Sequence, residues 1–369
     1  MFLLLFLASV LSPTHSSAVG FCREIKNCST CAKSYTYTLG FREHCRWCVT
    51  ARQCVGPLSC PFGKAVVERD PFRCPKKNSD AKGKRYTDAL GRSLFSIILS
   101  TADENPQCLL NVRPDISYVR RFSIVCDISD NTCRGLLAVS LEAKSIYIVF
   151  QDSETQKQLA AELINGLGAQ FGAWDKFEDP EIGVISYFHK AFYRTFIDTG
   201  MKDHVVELVQ KYPDFRIWTT GYSLGGSLAS MAALYLAIKD LVDKKSIRLV
   251  TFGEPRTGNV AYARAVEKHI RFRYRVVKGD DFIASIPRSP DPSAIITGPL
   301  FYRQPLFYRY LVHYDNKMKK NDPFIVCGLS DDYGCRNTHR SFNMQDHSSY
   351  FNVDREQFVK GGCPRDMIF

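Results

Sequence analysis

The segment from Thr219 to Ala229 reads Thr-Thr-Gly-Tyr-Ser-Leu-Gly-Gly-Ser-Leu-Ala and carries Gly-x-Ser-x-Gly at Gly221, Ser223 and Gly225. The β-branched and aromatic run Phe215-Arg216-Ile217-Trp218-Thr219-Thr220 precedes it. A helical stretch over 226–242 follows, with small residues at Ser227, Ala229, Ser230, Ala232 and Ala233. A strand that feeds a helix through so short a turn holds its serine in strained backbone. Glycines two residues before and two after remove the Cβ atoms that would clash. The start of the helix then favours negative charge developing beside the serine.

The surrounding sequence repeats this alternation. Further strand-like runs are Ser145-Ile146-Tyr147-Ile148-Val149-Phe150, Ile247-Arg248-Leu249-Val250-Thr251-Phe252 and Phe272-Arg273-Tyr274-Arg275-Val276-Val277. Helical stretches cover 184–211, 226–242 and 258–270. Strands alternating with helices predict an α/β class with a mostly parallel sheet covered on both faces. Residues 86–369 suffice for one such domain.

The amino terminus carries a different message. Stretch 2–12 is almost wholly apolar and small residues follow at Ser16, Ser17, Ala18 and Gly20. This predicts a signal peptide over 1–18, cleaved after Ala18 or Gly20, although no Lys or Arg precedes the apolar run. Export makes disulfides the expected state of the fourteen cysteines. Eight of them fall between Cys22 and Cys74, and six are spread over the rest. A small disulfide-rich module is therefore expected over 21–75, stabilised by bridges more than by a core. A polar, basic linker over 76–85 separates it from the larger domain. The Cys-x-x-C pairs Cys28/Cys31 and Cys45/Cys48 read as bridges rather than zinc ligands, so no metal or cofactor is expected.

Composition excludes several classes. Hydrophobic residues at 45% and charged residues at 24% do not suit a wholly disordered chain. No apolar run approaches the roughly 20 residues of a membrane span. The net charge of +11 suits a solvated basic surface or attraction to anionic membranes or matrix. No finger, homeodomain or RNP pattern supports nucleic-acid binding.

A serine nucleophile needs a base and a group that orients it. His269, His313, His339 and His347 follow Ser223, and Asp280 and Asp281 follow the strand that ends at Val277. The end of a parallel strand is where an orienting carboxylate belongs. Spacing alone leaves these candidates open.

Residues 86–369 resemble the class 3 (fungal-type) triacylglycerol lipases. Thr220-Gly221-Tyr222-Ser223-Leu224-Gly225-Gly226 is similar to their Thr-Gly-His-Ser-Leu-Gly-Gly elbow. Gly253-Glu254-Pro255-Arg256-Thr257-Gly258-Asn259 is similar to their Gly-x-Pro-Arg-x-Gly-Asn turn. Asp281-Phe282-Ile283-Ala284-Ser285-Ile286-Pro287 and Asp346-His347-Ser348-Ser349-Tyr350-Phe351 are similar to two later family segments. The resemblance implies an α/β-hydrolase fold and a catalytic set of Ser223, Asp281 and His347. It implies a secreted serine hydrolase acting on lipid esters at a lipid–water interface. A phospholipase, a non-lipid esterase and a catalytically weakened binding protein are the alternatives.

The same resemblance implies oxyanion donors at Leu224 and Ser153. Here the chain departs from the family, because Gln151-Asp152 replaces Arg-Gly before Ser153. An Asp there restricts the backbone and puts negative charge near the oxyanion, so slower turnover is expected. Ala191 likewise stands where the family usually has Gly. The stretch 156–172, with Leu159, Leu163, Ile164 and Leu167 at helical spacing, occupies the family's lid position. A short cysteine loop before the family's catalytic histidine implies Cys327 with Cys335. Cys126 and Cys133 flank a turn-rich stretch and are paired too. Cys108 is then left for Cys363, matching the family's terminal cysteine. The module at 21–75, with its Cys45-Arg46-Trp47-Cys48 core, resembles the plexin–semaphorin–integrin modules, which implies a protein or matrix partner for it.

Overall fold

The run Ser145–Gln151 forms a strand in which every residue is buried. That is what a β-branched and aromatic run does when a sheet is covered on both faces. The computed structural model describes residues 17–49, 51–56, 60, 66–67, 71–75, 85–101, 106–126, 132–151, 173–287, 304–328 and 343–369. The chain divides into two compact units between Pro75 and Lys76.

The larger unit is built on one eight-stranded sheet. Its strands are β1 (Ser117–Val125), β2 (Thr132–Ser140), β3 (Ser145–Gln151), β4 (Arg216–Tyr222), β5 (Ile247–Phe252), β6 (Phe272–Lys278), β7 (Leu311–Tyr314) and β8 (Ile325–Cys327). They lie side by side in chain order. Strands β3 to β7 pair in parallel, and antiparallel pairs flank them at both edges. This is the mostly parallel sheet expected from the alternating pattern, in the α/β-hydrolase architecture that the lipase resemblance implies.

Helix α1 (Asp88–Ser100) starts at Thr87, whose side chain accepts from the Leu90 N–H. Its Leu94, Phe95 and Ile98 pack with Tyr147, Trp218, Val250 and Val276 of the sheet. Helix α2 (Leu224–Ile238) packs on β3, β4 and β5. It is buried nearly all round, which explains why its sequence shows no polar stripe. The helical stretch expected over 184–211 is interrupted: Gly200 has φ +75 and separates a helical segment ending at Asp198 from Met201–Lys211. Only glycine adopts that conformation cheaply, and it stops the helix.

Disulfides join Cys108 to Cys363 and Cys126 to Cys133, as expected. The first spans 255 residues and, in the chain-entropy model, stabilises by about 5 kcal/mol. Cys327 is also disulfide-bonded, while Cys335 lies outside the described residues.

In the smaller unit, bridges join Cys22–Cys45, Cys28–Cys74, Cys31–Cys54 and Cys48–Cys60. Trp47 is buried in a cluster that includes six of these cysteines. Strands Ser34–Thr38 and Phe41–His44 form an antiparallel hairpin, with Ser17–Ala18 paired to its first strand. The remainder of the expected signal peptide, the lid stretch 156–172 and the linker up to residue 84 lie outside the described residues. No helix among the described residues is long and apolar enough to cross a membrane.

Candidate active site

Strand β4 delivers the chain to Ser223, which sits at φ 56 and ψ −126 immediately before α2. This conformation is costly for any residue with a side chain, about 1–3 kcal/mol. The neighbouring glycines make it possible. A Cβ on Gly221 would lie 2.0 Å from the Gly225 carbonyl oxygen, and one on Gly225 would lie 2.4 Å from that of Phe150. The turn is held from outside as well, because the Ser223 N–H donates to Phe252 O at 2.9 Å. Leu224 opens the helix, where N–H groups lack intrahelical partners.

Two strands further along the sequence, β6 ends at Lys278 and Gly279 turns the chain at φ +40. Asp281 follows, fully buried. It forms a parallel β-bridge with Asn343, and the Asn343 N–H donates to Asp280 O at 3.1 Å. The Asn343 side chain then caps the short helix α3 (Met344–Ser348) by accepting from the Gln345 N–H. One turn later the helix presents His347.

The three side chains meet. His347 Nε2 lies 2.9 Å from Ser223 Oγ. His347 Nδ1 lies 2.9 Å from both carboxylate oxygens of Asp281. Asp281 also accepts from the Ala284 N–H at 3.2 Å and from the Tyr350 hydroxyl at 2.6 Å. Burial first, then the nearby charge of Asp281, hold the Tyr350 hydroxyl well above the usual tyrosine range, so it stays a donor. Tyr222 stacks on the His347 ring, with centroids 4.8 Å apart at 22°, and its hydroxyl donates to the His347 carbonyl. Such a set can move a proton from a serine to an imidazole held by a carboxylate.

Glycine is required at one more place. Gly253, at φ +57, lies against both partners: a Cβ would sit 2.9 Å from His347 Cε1 and 3.0 Å from Asp281 Oδ2. The next residue, Glu254, is buried behind the elbow helix. It accepts from Thr251 at 2.6 Å, Tyr308 at 2.5 Å, Ser230 at 2.9 Å and Thr257 at 3.1 Å. Burial pushes its carboxyl above the usual range, against the lowering effect of Thr251, Tyr308, Arg275 and Ser230.

The other sequence candidates fall elsewhere. Asp280 is half-buried, and its N–H donates to Asp346 Oδ2 at 3.0 Å. His313 Nε2 lies 3.1 Å from the Gly279 carbonyl, and His269 closes the helix Val260–His269. His339, Asp152 and Ser153 lie outside the described residues. Gln151 is described, and its buried side chain accepts from the Thr101 hydroxyl. Ala191 is fully buried. Tyr350, Tyr222, Gly253 and Glu254 stand in the family-like segments, but the sequence assigned them no role. Tyr350 stands three residues after His347 in the segment Asp346–Phe351 that resembles the family, and that segment was the available signal for it.

Residues 147–290 match the family model described as Lipase (class 3). This is a lipase-type ester hydrolase. Lipase ZK262.3 of Caenorhabditis elegans is 29% identical over 270 residues, covering 67% of this chain and 73% of that one. Secreted mono- and diacylglycerol lipase 1 of Fusarium solani is 40% identical over 75 residues, covering 20% of this chain and 21% of that one. Among solved structures, lipase II from Rhizopus niveus superposes with a TM-score of 0.60 at 19% identity, covering 73% of this chain and 97% of that chain. That likeness carries the fold. The larger unit thus shares its fold with the fungal lipases it is similar to.

Proposed function

We propose that the chain is an exported enzyme that cleaves lipid carboxylic esters, acylglycerols in particular, through an acyl-enzyme on Ser223. The 2.9 Å contact between His347 Nε2 and Ser223 Oγ, with His347 Nδ1 held by Asp281, carries this reading. Ser223 Oγ attacks the ester carbonyl while His347 Nε2 takes its proton. Collapse of the tetrahedral intermediate expels the alcohol, which receives that proton. Water then attacks the acyl-enzyme with the same help, releasing the carboxylic acid and restoring Ser223. Asp281 fixes the imidazole and stabilises its charged form. The Leu224 N–H and Ser153 are the proposed oxyanion donors. Export and acylglycerol substrates are supported by the apolar amino terminus and by relatives named secreted mono- and diacylglycerol lipases. The packing of Trp47 among bridges supports reading 21–75 as a plexin–semaphorin–integrin-like module.

Rates with Asp281→Asn and Asp280→Asn test the assignment. Asp281→Asn should lose roughly 10⁴-fold in kcat while Asp280→Asn stays close to wild type. A silent Asp281→Asn beside a damaging Asp280→Asn would refute it.

A further inference from the structure

The hairpin Ser34–His44 turns through two residues, Leu39 at φ +50 and Gly40 at φ +82. Both central positions of such a turn need positive φ, which Asn, Asp and Gly provide at least cost. A leucine is disfavoured there by its backbone. It gains nothing from burial either, since Leu39 is 93% exposed. Tyr37 and Phe41, just behind the turn, are 61% and 75% exposed. Folding of the module accounts for none of the three.

Their arrangement says what would cover them. Tyr37 pairs with Arg42 and Thr38 with Phe41, so Tyr37 and Phe41 project from opposite faces of the ribbon. With Leu39 at the turn, the tip is apolar on both faces and at its end. A flat partner covers one face of a ribbon. A medium that surrounds the tip covers all of it. Cations stand behind the apolar residues: Arg42 is exposed with its guanidinium 3.9 Å over the Tyr35 ring, and Lys33 is exposed at the base of the hairpin. Arg23 is exposed as well. An apolar wedge followed by aromatic and basic residues matches the layering of a lipid surface, acyl region first and anionic headgroups next.

We propose that the Tyr37–Phe41 tip inserts into anionic lipid–water surfaces and holds the enzyme there. The choice of a lipid surface rests on the ester-hydrolase reading; the insertion does not require that reading to hold. The test uses the full chain carrying Ser223→Ala, so that bound lipid is not consumed. Sedimentation is measured with phosphatidylcholine vesicles, with and without phosphatidylserine. The Ser223→Ala parent should bind, more tightly when phosphatidylserine is present. Adding Leu39→Asp or Phe41→Ser should weaken binding at least about tenfold, with all module disulfides intact by peptide mapping. In the active chain, the same changes should leave turnover of a short soluble ester unchanged while lowering turnover on vesicle-borne esters. Equal sedimentation of parent and Leu39→Asp would overturn the proposal. So would a parent that binds neither vesicle, which would point to a protein as the occupant. Binding indifferent to phosphatidylserine would overturn the role given to the cations. Loss of soluble-ester turnover by the active chain would instead count against the hydrolase reading, leaving the sedimentation result to judge the hairpin.

Discussion

Tyr350 donates its hydroxyl to Asp281 Oδ2 at 2.6 Å, while the same carboxylate faces His347 Nδ1 at 2.9 Å. The tyrosine therefore fixes one side of the group that fixes the histidine. Hydrogen bonds to a charged acceptor are worth about 1.5–3 kcal/mol. Tyr350→Phe should lower kcat roughly tenfold or more, with KM little changed, because a positioning partner is lost and no substrate contact is. A KM effect with normal kcat would place Tyr350 at the substrate instead.

Gly253 approaches both His347 and Asp281 closely and sits at positive φ. Gly253→Ala should strain the backbone by about 1–2 kcal/mol and push the imidazole off the Ser223 line. The expected signature is a kcat loss on the order of 10²-fold beside a melting temperature only a few degrees lower. Comparable losses in proportion to unfolding would show a merely structural role.

Glu254 offers a pH test. Its folded carboxyl titrates above the ordinary value of 4.5, because burial outweighs the lowering effect of Thr251, Tyr308, Arg275 and Ser230. A raised acid binds its proton more tightly when folded, so its contribution is fully present below the unfolded value. That contribution is lost as pH rises through the folded value. Glu254→Gln keeps an acceptor for Ser230 and cannot ionise. Stability relative to wild type should therefore rise as pH increases above about 4.5, measured by denaturant unfolding across pH. A flat difference would mean that the carboxyl titrates normally.

The central sheet and the elbow were readable because periodicity and glycine placement act locally. Strands at 145–150 and 247–252 fall where the sequence puts them, and Gly221 and Gly225 are forced by contacts within the turn itself. Asp281 and His347 were not separable from Asp280 and His313 by spacing; only the motif similarity chose them. Glu254 was not legible, since its donors come from separate elements at Ser230, Thr251, Thr257 and Tyr308. The break at Gly200 was hidden inside a continuous helical pattern. The apolar hairpin tip was not legible because the exposure of Tyr37, Leu39 and Phe41 follows from the folded turn and not from local composition.

Covalent trapping tests the central claim most directly. A phosphonate ester that mimics the tetrahedral intermediate should react once per chain, and peptide mapping should find it on Ser223. His347→Ala should react far more slowly, and Ser223→Ala should neither react nor hydrolyse esters while keeping its fold. Label on a different residue, or ester turnover surviving in Ser223→Ala, would contradict the account.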